Sequence, residues 1–286
     1  GGLNDTRGTL FFELARAVSE IQPKVFMAEN VKGLLSHDDG KTLEVIRNSI
    51  AELGYTLIEP RILKAIMYQV PQKRERLIIV AIRNDIAQQV SFKWPDPYRR
   101  VMTLRDAFYK GTLFPTDVPI SKGQTYPEKK ARVMAMVPEG GDWRNLPIEE
   151  QKAYMGRSFE LGGGKTGMAR RLSMDEASLT LTCAPAQKQT ERCHPIETRP
   201  LTVREYARIQ TFPDNWQFEG SLTEQYKQIG NAVPVNLAYA IGRSLIRLFN
   251  EIDKIQPENT QFDEANEIAA QLVYSKYPDI FKMNDI

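Results

Sequence analysis

Leu77-Ile-Ile-Val-Ala-Ile82 is an unbroken apolar run rich in β-branched residues. A run this short, with no polar alternation, reads as a strand buried on both faces. The segments before it carry matching periodicities. Residues 9–20 place Leu10, Leu14, Ala17 and Val18 on one helical face, and Pro23 breaks the pattern. Val25-Phe-Met-Ala28 reads as a short buried strand. Residues 41–53 return to helical spacing with Leu43, Ile46, Ile50 and Leu53, and Gly54 stands where a helix C-cap belongs. Tyr55–Leu63 reads as a strand. Helix, strand, helix, strand, strand over the first 85 residues implies an open α/β sheet, the second half of a doubly wound fold.

The chain has 286 residues, enough for one large domain or two smaller ones. With 42% hydrophobic and 26% charged residues it can bury a core, which excludes a wholly disordered chain. No apolar run approaches the roughly 20 residues of a membrane span, and no secretory signal is visible. Cys183 and Cys193 cannot build a disulfide framework, so a reducing compartment, the cytoplasm, is expected. A net charge of +2 neither demands nor excludes nucleic acid, because binding depends on a local basic face. The sequence opens Gly1-Gly2-Leu3 without a methionine and reads like a chain entered midway. Methionine removal or trimming accounts for this; so does an upstream portion that lies on another polypeptide or was lost.

Composition shifts after about residue 90. Residues 91–195 are rich in Pro, Gly, Arg, Lys and aromatics with weak periodicity, as in a loop-rich second domain with short strands. Regular structure then returns. Thr202-Val-Arg-Glu205 and Ser221-Leu-Thr-Glu224 are capping boxes. Pro234 opens a helix over 234–249, and a shorter helix is expected over 262–275.

Several segments carry chemistry. Glu29 stands just past the carboxyl end of the Val25–Ala28 strand, where open α/β sheets bind ligands; alternatively it is a loop residue with Asn30 as a helix N-cap. Gln72, Arg74 and Arg76 alternate, so an extended chain would project them to one side as a phosphate or carboxylate clamp; a solvated charge run is the other reading. Gly230-Asn231 before a helix start allows a tight turn and close backbone approach to a ligand. Lys165, Arg170, Arg171, Lys188 and Arg192 crowd together with Gln187 and Gln189 interleaved. Arg to guanine and Gln to adenine are the usual major-groove pairings; a solvated basic face is the alternative. Cys183, Cys193 and His194 have no zinc-like spacing, and Cys193-His194-Pro195 reads as a surface turn, so no metal is expected.

Taken in order, Glu29-Asn30-Val31, Gln72-Lys-Arg74-Glu-Arg76, Arg199-Pro-Leu-Thr-Val-Arg-Glu205 with Gln210-Thr-Phe-Pro213, and Gly230-Asn231-Ala-Val-Pro234 resemble the motifs of bacterial DNA cytosine-5 methyltransferases. Asp5-Thr-Arg-Gly-Thr-Leu-Phe-Phe12 resembles the segment after that family's catalytic loop, and the resemblance covers roughly residues 3–250. It implies a partial doubly wound, Rossmann-like methyltransferase sheet with a loop-rich target-recognition domain. The implied organisation is the second half of a catalytic domain in 1–90, target recognition in 91–198, helices returning to the catalytic domain in 199–250, and a tail in 251–286.

The implied reaction transfers a methyl group from S-adenosylmethionine to C5 of a cytosine flipped out of duplex DNA, in a restriction-modification setting. Glu29 matches the family's Glu that contacts the cytosine N3 and 4-amino group, and Arg74 the Arg that supports the base. Asn231 with Ala232 matches a cofactor-side motif. Gln72, Arg76, Lys165, Arg170, Arg171, Gln187, Lys188, Gln189 and Arg192 are the expected DNA contacts. The family's Pro-Cys nucleophile has no counterpart: Cys183 follows Thr182 and Cys193 follows Arg192. The glycine-rich cofactor turn is also without a match. The expectation is therefore a part of a methyltransferase that needs a partner subunit or N-terminal fragment carrying the nucleophile, with exposed apolar sheet edges when alone. The competing reading is a non-catalytic DNA-binding relative or regulatory subunit.

Overall fold

A computed structural model describes residues 6–35, 40–161 and 166–255. The expected helix over 262–275, and Lys165, lie outside them. The chain divides into two compact units. The described residues of the first come from Gly1–Lys64, Glu75–Asp96 and Ala240–Ala265; those of the second come from Ala65–Arg74 and Pro97–Tyr239. This division differs from the expected cuts at 90, 198 and 250, because Gln72 and Arg74 bond to Leu181, Gln210 and Gly230 and so belong with the later segments.

The first unit contains α1 (Thr6–Ile21), β1 (Val25–Val31), α2 (Lys41–Glu52), β2 (Tyr55–Lys64), and then, from beyond the second unit's Gln72–Lys73 strand (β3), β4 (Glu75–Arg83) and α3 (Asn84–Ala87). The sheet order is β1-β4-β2, with β4 antiparallel to both neighbours. β1 and β2 therefore run parallel, joined through α2, and β4 is inserted against them. The apolar run takes the central place its composition requires. Leu77, Ile79 and Ala81 pack with Val18, Phe26, Ile46 and Ile50 beneath α1 and α2. The alternate face carries Ile82 onto Ile86 and onto Leu248 and Ile252 of a later helix. At Gly54 the φ is +84°, and its N–H donates to Ala51 O, so the expected C-cap is there. In β2 the register shifts between Ile58 and Arg61; Pro60, which has no N–H, sits in that bulge.

One expectation changes. β1 continues through Glu29 and Asn30 to Val31, so Glu29 lies within the strand, opposite Ile78, and Asn30 caps no helix. Among the described residues β1 is also an edge strand, with Met27 and Val31 exposed, not a fully buried one.

In the second unit, β3 (Gln72–Lys73) pairs in parallel with β5 (Ser178–Leu179). Between them run α4 (Leu104–Phe108), α5 (Glu128–Ala135), α6 (Ile148–Met155) and α7 (Arg157–Glu160). Short helices and loops thus dominate 91–195, with β5 a short strand of the kind expected there. α8 (Val203–Ile209) and α9 (Leu222–Asn231) start at the two capping boxes, with Thr202 and Glu205, and Ser221 and Glu224, bonding reciprocally. α10 (Val235–Ile255), most of which belongs to the first unit, follows Pro234 and outruns its expected end at 249. One core gathers Leu104, Phe108, Leu181, Tyr206, Tyr226 and Ile229; a second gathers Val133, Met134, Leu146 and Cys193. No helix among the described residues is long and apolar enough to cross a membrane.

Because Leu77 is fully buried in the sheet core, Leu77→Ala should lower unfolding stability by about 2–5 kcal/mol. Ile62→Ala, at the partly exposed β2 edge, should cost less than about 1 kcal/mol. Urea denaturation of the two variants checks the contrast.

Candidate functional site

In the first unit, Glu29 and Arg76 meet across the β1–β4 ladder. Glu29 faces Ile78 and Arg76 lies two residues earlier on β4, a diagonal pair on one face of the sheet. Arg76 Nε donates to Glu29 Oε1 at 2.6 Å, and the side chains are 13% and 30% exposed. A partly buried guanidinium thus fixes a carboxylate that still reaches solvent. Burial lowers the Arg76 pKa, and Glu29 opposes that shift.

In the second unit, Arg74 is buried. Its Nη1 donates to Leu181 O at 3.2 Å and its Nη2 to Gly230 O at 2.9 Å. Gln72 is also buried: its Oε1 accepts from Leu181 N–H and its Nε2 donates to Gln210 Oε1 at 2.7 Å. Gln210 Nε2 passes the chain on to Ile229 O and Ala232 O. The expected one-sided clamp of Gln72, Arg74 and Arg76 does not form, because β3 ends before Arg74 and β4 begins after it. Gln72 is a buried structural amide, not an exposed DNA contact. Gly230 and Asn231 are the last two residues of α9, where a turn was expected. The glycine is required there: a Cβ at 230 would collide with Thr182 O. Asn231 is exposed, and its Oδ1 accepts from Cys183 Sγ at 3.4 Å. Ala232 is half-buried.

The basic cluster separates into two kinds of residue. Arg171 is buried and fills all five N–H donors: Nε to Val137 O, Nη1 to His194 O and Glu197 O, Nη2 to Met134 O and Thr198 Oγ1, at 2.8–3.1 Å. Arg192 is buried against Thr180 O and Glu191 O, and burial pushes its pKa down to about 10. Neither is placed to contact DNA; both hold loop carbonyls that no sheet ladder satisfies. Arg170 is half-buried beside Asp142 at 3.4 Å. Gln187, Lys188 and Gln189 are exposed at the tip of one loop. Lys130, Tyr126 and Glu191, which the sequence reading passed over, support that loop from below. They lie too far apart in the chain for spacing to group them.

The family model described as "C-5 cytosine-specific DNA methylase" matches residues 1–247. The chain belongs to the C-5 cytosine-specific DNA methylase family. It is 68% identical over 253 residues to the type II methyltransferase M.Eco47II of Escherichia coli, covering 88% of this chain and 61% of that protein. It is 62% identical to M.PspPI of Psychrobacter sp., with the same coverage. The chain therefore spans about three fifths of the length of these relatives. Among solved structures it resembles an E. coli prophage-encoded DNA modification methyltransferase, with a TM-score of 0.60, 23% identity, and coverage of 86% of this chain and 75% of that one. That likeness supports the mixed α/β fold.

In this methylase chain Cys193-His194-Pro195 is not the surface turn expected. Cys193 and His194 are buried, and His194 stacks on Phe108 at 5.6 Å. Burial pushes the Cys193 thiol up. His194 Nδ1 accepts from the N–H groups of Ile196 and Glu197 at 3.2 and 3.0 Å, which needs that nitrogen unprotonated. Among the described residues no cluster of three or more His, Cys, Asp or Glu side chains could hold a metal.

Arg171→Ala would strand several buried carbonyls at about 1–3 kcal/mol each, so the methylase chain should lose at least about 3 kcal/mol in chemical denaturation. An unchanged midpoint would contradict the structural role. Burial also lowers the His194 pKa from its ordinary 6.5. The unfolded chain then binds the proton more readily, so this contribution to stability is complete above pH 6.5 and is lost as pH falls through that range. Melting temperature should drop between pH 7.5 and 5.5 in the native chain and less so in His194→Gln, a difference that removes the opposite contribution of Glu191, whose pKa burial raises.

Proposed function

We propose that the chain acts as part of a type II DNA cytosine-5 methyltransferase, transferring a methyl group from S-adenosylmethionine to C5 of a cytosine flipped out of a specific duplex site. The observation that carries this reading is the Glu29–Arg76 pair. A solvent-reaching carboxylate is fixed to a sheet by a guanidinium, in a chain 68% identical to M.Eco47II. In this reading Glu29 hydrogen-bonds the Watson–Crick edge of the extruded cytosine, and Arg76 holds the carboxylate in place. Arg74 is a positioning residue, acting through the Leu181 and Gly230 carbonyls. Double-stranded DNA is the macromolecular partner, contacted by Gln187, Lys188, Gln189 and Arg170, with Lys165 expected among the contacts from the sequence.

S-adenosylmethionine supplies the methyl group when bound. The described residues fit it only at an edge. Asn231 offers an exposed amide at the end of α9, and no glycine-rich turn between a strand and a helix occurs among them. Asn231 and Ala232 are therefore assigned one border of the cofactor. The nucleophilic thiolate is assigned to a segment or subunit outside these 286 residues. Burial of Cys193, with its raised pKa, supports that assignment, because the thiolate is the reactive form.

The test combines the full chain with the N-terminal portion of M.Eco47II and follows labelled methyl transfer from S-adenosylmethionine to duplex DNA. Transfer is expected, and Glu29→Gln should reduce it roughly 10²–10⁴-fold. Sequence-selective DNA binding without transfer in any combination would point instead to a non-catalytic DNA-binding relative.

A further inference from the structure

The loop bearing Gln187, Lys188 and Gln189 is tied at both ends. Thr182 Oγ1 and Thr190 Oγ1 lie 3.2 Å apart across its stem. Arg192 N–H donates to Pro185 O at 2.7 Å, and Glu191 N–H to Gly167 O at 2.9 Å. At the tip, Thr190 donates from its N–H to Gln187 O and from its hydroxyl to Gln187 Oε1 at 3.0 Å. One side chain from outside the loop grips both its halves. Lys130, on α5, donates to Ala186 O at 3.0 Å where the chain enters the tip and pairs with the Glu191 carboxylate where the loop leaves. Glu191 is fully buried. Tyr126 completes the cluster: its hydroxyl donates to Glu191 Oε1 at 2.6 Å and its ring lies 5.1 Å beneath the Lys130 ammonium.

A buried carboxylate and an ammonium are costly to desolvate, and a neutral pair of side chains could fill the same space. Here the charges give a fixed geometry. The ammonium needs several acceptors at once, and the set available to it includes one backbone carbonyl in the loop and the carboxylate at the loop's end. The tip they hold presents two amides and an ammonium, groups that read adenine and guanine edges in the major groove.

We propose that Lys130, Glu191 and Tyr126 are positioning residues that hold the Gln187–Lys188–Gln189 tip in register for reading base edges in duplex DNA. This rests on the DNA reading proposed above. They touch no base themselves. Their loss loosens the tip and erodes sequence discrimination, while affinity for DNA in general, which depends on phosphate contacts, persists.

The test uses the full chain and the variants Lys130→Met and Tyr126→Phe; the second removes a single hydroxyl and serves should the first fail to fold. Amide hydrogen exchange over 183–191 is measured beside exchange over 75–83. In parallel each protein selects from a randomised duplex pool. Exchange in the loop should rise about tenfold or more in Lys130→Met with β4 unchanged, and less in Tyr126→Phe. The selected consensus should lose specified positions, while affinity for unselected duplex stays within about twofold. Unchanged loop exchange, an equal rise in β4, or a loosened loop with an intact consensus would each overturn the proposal. A wild-type chain that retains no duplex at all overturns the DNA reading and the reading role with it, and the exchange measurement then still decides whether the tether exists.

Discussion

Arg74 reaches from β3 to the carbonyls of Leu181 and Gly230, and a buried guanidinium with those bonds cannot be released without stranding the charge. The segments it joins are far apart in sequence and have almost no strand pairing to hold them. Gln72 and Gln210 repeat the linkage with neutral amides, and the bare Cα of Gly230 lets α9 close onto Thr182. The same device recurs across the second unit. Arg171 gathers the 194–198 turn, and Arg208 gathers Ala107 O, Thr116 O and Asp117 O while pairing with Asp214. A unit with little sheet has many backbone carbonyls left over, and planar groups with five donors are the economical way to satisfy them.

The first unit solves the same problem differently. Its carbonyls are consumed by the β1-β4-β2 ladder and by helices, so its side chains are free to be apolar on both faces of β4. Near the β1 edge the pleat turns Glu29 outward, and Arg76 of the central strand pairs with it there. The pair owes its geometry to register: a slip of one residue between β1 and β4 would put the two side chains on opposite faces of the sheet.

Much of the first unit could be read directly from the sequence, because periodicity reports burial. The Leu77–Ile82 run, the 41–53 helix and its Gly54 cap each follow from residue type and spacing. The end of β1 could not be read so, since Glu29 and Asn30 look like loop residues and only pairing with β4 keeps them extended. The capping boxes at Thr202 and Ser221 were legible; the matching box at Thr103–Asp106, which starts α4, carries the same signal inside a stretch dominated by Pro and Gly. The second unit's arginines were the hardest. A guanidinium aimed at DNA and one aimed at carbonyls have the same letter, and only the fold distinguishes the exposed tip residues from Arg171 and Arg192. Resemblance to the family's motifs singled out Glu29, Arg74 and Asn231, but the Lys130–Glu191–Tyr126 cluster belongs to no contiguous motif.

The close packing of Gly230 on Thr182, reinforced by the Tyr206 hydroxyl bonding both the N–H and the carbonyl of Thr182, fixes one end of the 183–190 segment. Glu191 fixes the other. With both ends clamped from outside and Thr190 bracing the stem, the segment can change at its exposed tip more readily than at its stem. Doubling its length costs only about 0.6 kcal/mol in closure entropy, so insertions at the tip are thermodynamically cheap. Such a scaffold lets new residues be tried at the tip without re-solving the fold beneath them, and makes this segment the natural place to graft a foreign loop.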